Sequence, residues 1–125
     1  MNMRTILIVD DEMKSRELLS QLLRCSGWDV ITANDGRDAL GKIKISRPHV
    51  IVLDMTMPEM DGFEVTRSLK SNPEYQTIPI LAATGLCSWG DRQRCLAAGC
   101  DDYVAKPFTL GELQQHLASL LPGDS

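Results

Sequence analysis

The chain predicts an α/β fold: a doubly wound, five-stranded parallel sheet in the order 2-1-3-4-5, with helices on both faces. Three observations predict it. Strand-like and helix-like segments alternate five times along the 125 residues, which calls for parallel strands joined by right-handed helical crossovers. Two strand segments, Thr5-Ile6-Leu7-Ile8-Val9 and Val50-Ile51-Val52-Leu53, are nearly unbroken apolar runs, as expected of strands buried on both faces. Both runs stop abruptly on acid, at Asp10-Asp11-Glu12 and at Asp54. Making these two strands central neighbours puts them at the switch point of the sheet, where ligands of such folds bind.

The elements follow in order. After the first strand, a helix from about Lys14 to Cys25 carries a stripe of Leu18, Leu19, Leu22 and Leu23, and Gly27 supplies its C-terminal stop. Trp28 to Thr32 reads as a short strand. Asn34-Asp35-Gly36 turns the chain into a helix from Asp35 to Ile45, with Ala39, Leu40 and Ile43 inward. Pro48 ends it and leads into the strand at Val50. Pro58 blocks any continuation beyond Asp54, and Asp61-Gly62 signals a turn. A helix with Phe63, Val65, Thr66 and Leu69 follows, ended by Ser71-Asn72-Pro73. Ile78 to Ala83 is the fourth strand and stops at Thr84-Gly85. Trp89 to Ala98 predicts a weakly amphipathic helix capped by Gly99. Asp102 to Ala105 is the last strand. Thr109 and Glu112 form a capping-box pattern for a final helix with Leu110, Leu113, Leu117, Leu120 and Leu121 inward. Residues 1–121 thus read as one domain, with Pro122-Gly123-Asp124-Ser125 as a frayed tail.

Composition narrows the function. A hydrophobic fraction of 43% is that of a globular chain, and this length buries roughly two thirds of the unfolded surface. The net charge of −4 and pI near 5.1 argue against a nucleic-acid surface. No apolar run approaches the roughly 20 residues that span a bilayer, and Met1-Asn2-Met3-Arg4 lacks a signal-peptide core. Cys25, Cys87, Cys95 and Cys100 form neither a C-x-x-C pair nor a zinc spacing. They read as reduced thiols of a cytosolic protein.

The strand ends carry the chemistry. Asp10, Asp11 and Asp54 converge on one small site, and three carboxylates that close require a cation. Oxygen ligands without His or Cys favour Mg²⁺ over zinc. The fourth strand offers the Thr84 hydroxyl to the same place and the fifth offers the Lys106 ammonium. A carboxylate nucleophile, a divalent ion, a hydroxyl donor and a lysine are the set that receives a phosphoryl group. Blander readings exist for each. Asp54 could cap the next helix, Lys106 could be a solvated loop lysine, and Tyr103 reads equally well as an aromatic on a solvent-facing strand edge. His49 and His116 have no acidic or thiol partner in sequence and read as incidental. Met55, Met57 and Met60 read as loop packing, and Trp89, in a polar loop, as partly exposed.

Four motifs together carry a resemblance. Ile8-Val9-Asp10-Asp11-Glu12, the run from Leu53-Asp54 to Asp61-Gly62, Ala83-Thr84, and Gly99-Cys100-Asp101-Asp102-Tyr103-Val104-Ala105-Lys106-Pro107-Phe108 resemble the receiver domain of two-component response regulators, of the single-domain chemotaxis-regulator type. The resemblance implies a flavodoxin-like (βα)₅ fold with Asp54 as phosphoacceptor. It implies that Asp11 ligates magnesium directly, Asp10 largely through water, and Thr56 by its carbonyl. Thr84 and Lys106 would contact the phosphoryl oxygens, and Tyr103 would be the switch aromatic. The Lys106-Pro107 bond would be cis. Implied partners are a histidine kinase or phosphotransfer protein, and a downstream protein at the face around Trp89 and Tyr103. The chain would be a phosphoacceptor that assists its own phosphorylation and dephosphorylation, not an enzyme. Gly85 and Cys100 stand where the family commonly carries Ala. Leu86, where the family often has a polar residue, implies a comparatively long-lived phosphoryl group.

Two other classes compete. An FMN binder shares the strand order, but Asp10-Asp11-Glu12 would repel its phosphate unless a metal intervened. A phosphorylation-inert interaction module would keep the fold without a reason to keep all five polar site residues. The chain also reads as a possible unit of a larger regulator or hybrid kinase.

Overall fold

The apolar runs form the sheet as expected. A computed structural model describes residues 4–85 and 88–121. In order, the elements are β1 (Thr5–Val9), α1 (Met13–Cys25), β2 (Asp29–Ala33), α2 (Gly36–Ser46), β3 (Val50–Leu53), α3 (Gly62–Lys70), β4 (Ile80–Thr84), α4 (Trp89–Ala98), β5 (Asp102–Ala105) and α5 (Leu110–Leu120). The five strands are parallel in the order β2-β1-β3-β4-β5. Side chains alternate across the sheet, and both faces are covered. Leu7, Val9, Ile51, Leu53, Ile80 and Ala82 pack on one side with Ala39 and Ile43 of α2, Val65 and Leu69 of α3, and Cys95 of α4. Ile6, Ile8, Val50, Val52, Leu81 and Ala83 pack on the other with Leu23 of α1 and Leu113 and Leu117 of α5. That double burial is why β1 and β3 show no apolar–polar alternation.

Several boundaries move by one or two residues, for local reasons. Trp28 does not begin β2. Gly27, at φ 98°, closes α1 in a Schellman motif in which Trp28 N–H donates to the Leu23 carbonyl at 3.0 Å and Gly27 N–H to that of Arg24. Asp35 stands outside α2 as its N-cap, accepting from Asp38 N–H. β4 starts at Ile80 because Ile78 N–H is taken by a turn to the Tyr75 carbonyl. The expected boundaries of α4 and β5 match, as does the capping box of α5.

The α1 stripe needs correction. Leu23 is buried and Leu19 half-buried, but Leu18 is 60% and Leu22 38% exposed. Two adjacent ridges of a helix are about 100° apart. The sheet covers the Leu19–Leu23 ridge and leaves the Leu18–Leu22 ridge outside. In α5, Leu113 and Leu117 are buried, with Leu110, Leu120 and Leu121 partly so. Met55 and Met57 are buried and Met60 packs against the same core. Leu86, on which the lifetime expectation rests, lies outside the described residues, as do Cys87 and residues 122–125.

Candidate functional site

The ladder itself delivers the carboxylates. Val9 pairs with Leu53 as the last rung between β1 and β3, so Asp10 and Asp54 sit one residue beyond, side by side. Their backbones remain tied to the sheet. Asp54 N–H donates to the Val9 carbonyl at 3.0 Å and Asp10 N–H to the Ala33 carbonyl at 3.1 Å. Asp61, not Asp54, caps α3, accepting from Glu64 N–H at 3.0 Å. The helix start is pressed against the back of the site. A Cβ on Gly62 would lie 2.6 Å from Met55 Cα and 2.7 Å from the Asp54 carbonyl oxygen.

Asp10, Asp54 and Thr84 are buried polar residues at the carboxyl ends of their strands. Carboxylate oxygens of Asp10, Asp11 and Asp54 lie within 4.8 Å of one another. Lys106 reaches in from the end of β5, its backbone N–H held by the Thr84 carbonyl at 2.9 Å. Its ammonium donates to Asp10 Oδ2 at 3.0 Å and to Asp54 Oδ2 at 3.4 Å. Lys106 is therefore paired with the two buried carboxylates rather than solvated as a free loop lysine. The Lys106-Pro107 bond is cis. Asp54 Oδ1 accepts from Thr56 N–H at 3.0 Å and from the Thr56 hydroxyl at 3.1 Å.

Charge and burial set the acid–base character. Burial pushes the Asp54 carboxyl above its ordinary pKa, and the Asp10 charge adds to this, against the opposing hydrogen bond from Thr56 N–H and the Lys106 charge. Burial works against the Lys106 ammonium. The hydrogen bond to Asp10 and the charges of Asp54 and Asp10 outweigh it and hold its pKa above the usual lysine value. The site thus contains a buried carboxylate with incomplete counter-charge, beside a cation that stays protonated. Its carboxylates form a hard, oxygen-only donor set, suited to a small divalent cation.

Around this centre, Tyr103 is half-buried against the core shared by α2, α3 and α4, and its hydroxyl oxygen is buried. That rules out the solvent-facing edge. Trp89 is 72% exposed at the start of α4. His116 is not without an acidic partner: its Nδ1 lies 2.6 Å from Asp102 Oδ2, a contact between α5 and β5 that sequence neighbours could not reveal. His49 Nδ1 accepts from Thr5 N–H at 2.9 Å, a structural bond remote from the carboxylates. One residue escaped the sequence reading altogether. Arg16 donates to the Asp10 carbonyl at 2.9 Å. Its only signal in sequence was a basic residue one helical turn beyond Glu12.

A five-stranded 2-1-3-4-5 sheet with acid at the ends of β1 and β3 and lysine at the end of β5 defines a receiver-type domain. The family model "Response regulator receiver domain" matches residues 6–118, and the chain belongs to that family. It is 42% identical over 94% of its length to the probable transcriptional regulatory protein TcrX of Mycobacterium tuberculosis, and covers 49% of that protein. To the probable transcriptional regulator ycf27 of Cyanophora paradoxa it is 41% identical over 96%, again covering 49%. The chain thus spans about half the length of these curated relatives. Among solved structures, the chemotaxis protein CheY4 of Vibrio cholerae is similar at TM-score 0.90 and 35% identity, with 95% of this chain and 99% of that one covered. The receiver domain of sensor histidine kinase PA1611 from Pseudomonas aeruginosa, which has a magnesium ion coordinated in its active site cleft, is similar at 0.88 and 33% identity, with 96% and 98% covered.

Proposed function

We propose that Asp54 receives a phosphoryl group from the phosphohistidine of a histidine kinase or phosphotransfer protein, with Mg²⁺ held by Asp10, Asp11, Asp54 and the carbonyl of Thr56. The observation that carries this reading is the Lys106 ammonium within reach of both Asp10 and Asp54, the two buried members of the carboxylate cluster. Asp54 Oδ1 accepts two hydrogen bonds from Thr56, and Oδ2 faces the Lys106 ammonium at 3.4 Å. An Asp54 oxygen forms the new bond to phosphorus while the bond from phosphorus to the donor imidazole nitrogen breaks. The imidazole departs with that electron pair. Lys106 and the Thr84 hydroxyl stabilise the charge on the equatorial oxygens. The metal, when bound, neutralises the carboxylates and the incoming phosphoryl charge. The fit to magnesium rests on the donor set of this chain and on the ion in the PA1611 receiver domain.

The donor's approach is favoured by an apolar groove that opens beside the site. Asp10 and Lys106 form one end, and Leu18, Leu22, Pro107 and Phe108 extend it along α1 and the loop into α5. Phosphorylation then shifts the face around Trp89 and Tyr103, where a downstream protein binds. The chain acts as a phosphoacceptor that assists its own phosphorylation and dephosphorylation, in the cytoplasm where kinase and ATP meet. A second reading, favoured by the doubled length of the curated relatives, is that the output belongs to a further domain of one polypeptide.

Incubation with acetyl phosphate, read by intact mass, tests the acceptor. The wild type is expected to gain one phosphoryl group with Mg²⁺ and none with a chelator. Asp54→Asn should gain none. Labelling that persists in Asp54→Asn moves the acceptor elsewhere.

A further inference from the structure

All four polar groups of Asp10 are engaged. Its N–H donates to the Ala33 carbonyl at 3.1 Å. Oδ1 accepts from Glu12 N–H at 2.9 Å and Oδ2 from Lys106 at 3.0 Å. Its carbonyl accepts from the Arg16 guanidinium at 2.9 Å. The first three bonds belong to a strand end inside a charged site. The fourth is not needed to build the helix, because Arg16 N–H already closes the first turn of α1 on the Glu12 carbonyl at 3.0 Å.

The Asp10 carbonyl lies in the planar peptide unit shared with Asp11. Fixing that oxygen fixes the plane from which the Asp11 residue departs. Asp11 is the exposed member of the acidic trio. Among the described residues, no hydrogen bond or ion pair orients its carboxylate, whereas those of Asp10 and Asp54 are each held by two partners. With no partner on the carboxylate, the direction from which the Asp11 side chain leaves the chain is set by its backbone, and Arg16 holds the peptide that precedes it.

We propose that Arg16 is a positioning residue for the metal: its guanidinium locks the Asp10–Asp11 peptide and so presents the Asp11 carboxylate to Mg²⁺. This rests on the reading of the trio as a magnesium site. Arginine suits the task because its fork is planar and stays charged. Groups that orient first-shell ligands are typically worth about 10–100-fold in metal affinity.

The sign of the effect separates positioning from simple charge. Removing a cation near the site tightens a divalent ion by Coulomb's law, whereas losing a positioning residue weakens it. Arg16→Met is expected to raise the Mg²⁺ Kd about tenfold, and Arg16→Lys to fall between it and wild type. The Kd is read from melting temperature against MgCl₂ concentration at constant ionic strength. A merely structural role would lower every melting temperature in parallel and leave the Kd unchanged. In acetyl phosphate labelling, the half-saturating Mg²⁺ concentration should shift by the same factor, with the rate at saturating Mg²⁺ within about twofold of wild type. An Arg16→Met Kd equal to or tighter than wild type overturns the inference alone. A wild type that does not respond to Mg²⁺ overturns the metal reading and the inference with it. If Arg16→Met does not fold, the same titration on Arg16→Lys decides, and a Kd equal to wild type then overturns the proposal.

Discussion

Asp54, the proposed acceptor, is a residue at which burial sets stability and acid–base character together. Burial raises its pKa above the ordinary 3.8, and the hydrogen bond from Thr56 and the Lys106 charge only partly offset this. The folded chain therefore binds this proton more tightly than the unfolded chain. For a carboxyl group raised in this way, stability is lost as pH climbs from the ordinary value through the raised one, so at neutral pH the Asp54 charge works against the fold. Asp54→Asn is expected to melt above wild type at neutral pH in metal-free buffer. The gap should close as pH falls below 3.8, where both side chains are neutral. Melting curves of the two proteins across that range check it, and a gap that widens toward acid would contradict the assigned sign. At this scale the sequence was legible wherever a polar residue ended an apolar run, as Asp10, Asp54 and Thr84 do. It gave only a basic residue one turn beyond Glu12 for Arg16 and nothing for the His116–Asp102 contact. A side chain bonded to a carbonyl, or to an acid on another element, leaves no pattern in the order of residues.

Among the elements, α1 departs most informatively from expectation. Its leucines occupy two ridges, and only the Leu19–Leu23 ridge meets the sheet. Periodicity specified that the helix was apolar on one side but not how wide a strip the sheet would cover, because that width depends on packing against β1, β2 and α5. Leu18 and Leu22 of the uncovered ridge line the groove beside Asp10 and Lys106, together with the half-buried Leu19. A leucine already 60% exposed, as Leu18 is, contributes little to folding but has surface to bury against a partner. Leu18→Gln combined with Leu22→Gln should lower stability by no more than about 1.5 kcal/mol, most of it from the better-covered Leu22. The same pair should slow transfer from a phosphohistidine donor protein about tenfold or more, since burying one leucine is worth about 1.5 kcal/mol or more. Labelling by acetyl phosphate, which needs no docking surface, should be unchanged. Equal loss with both donors would mean that the substitutions damage the site rather than the docking ridge.

Across the whole molecule, the sheet order was legible because two doubly buried strands ending in acid had to be neighbours. The relative firmness of the five helices was only hinted at, by the poor stripe of α4. That helix contributes only Cys95 as a buried residue. Partly buried Ala98 packs against the same core, and the Arg94 guanidinium lies 4.5 Å from the centre of the Phe63 ring of α3. The other four helices anchor at least two buried residues each. A helix with so few buried contacts is the least costly to displace. It also follows the β4 end that carries Thr84, and β4 pairs Ala82 with Tyr103 and Thr84 with Ala105 of β5. A phosphoryl group on Asp54, as proposed, would add acceptor oxygens near the end of β4, and a shift of the Thr84 hydroxyl toward them would be a local event able to bias the packing of Tyr103 and α4. Trp89 opens α4 and is 72% exposed, while Trp28 packs against the core on the opposite face of the sheet, at the end of α1. Beryllofluoride with Mg²⁺, as a phosphoryl mimic, is therefore expected to change tryptophan emission. Trp89→Phe should abolish the change and Trp28→Phe should preserve it. Thr84→Ala should still accept phosphate but give a smaller change, because the coupling hydroxyl is gone. If the signal survives Trp89→Phe and disappears with Trp28→Phe, the element that moves is not α4, and the downstream partner must be sought on the face of α1 and α5 instead.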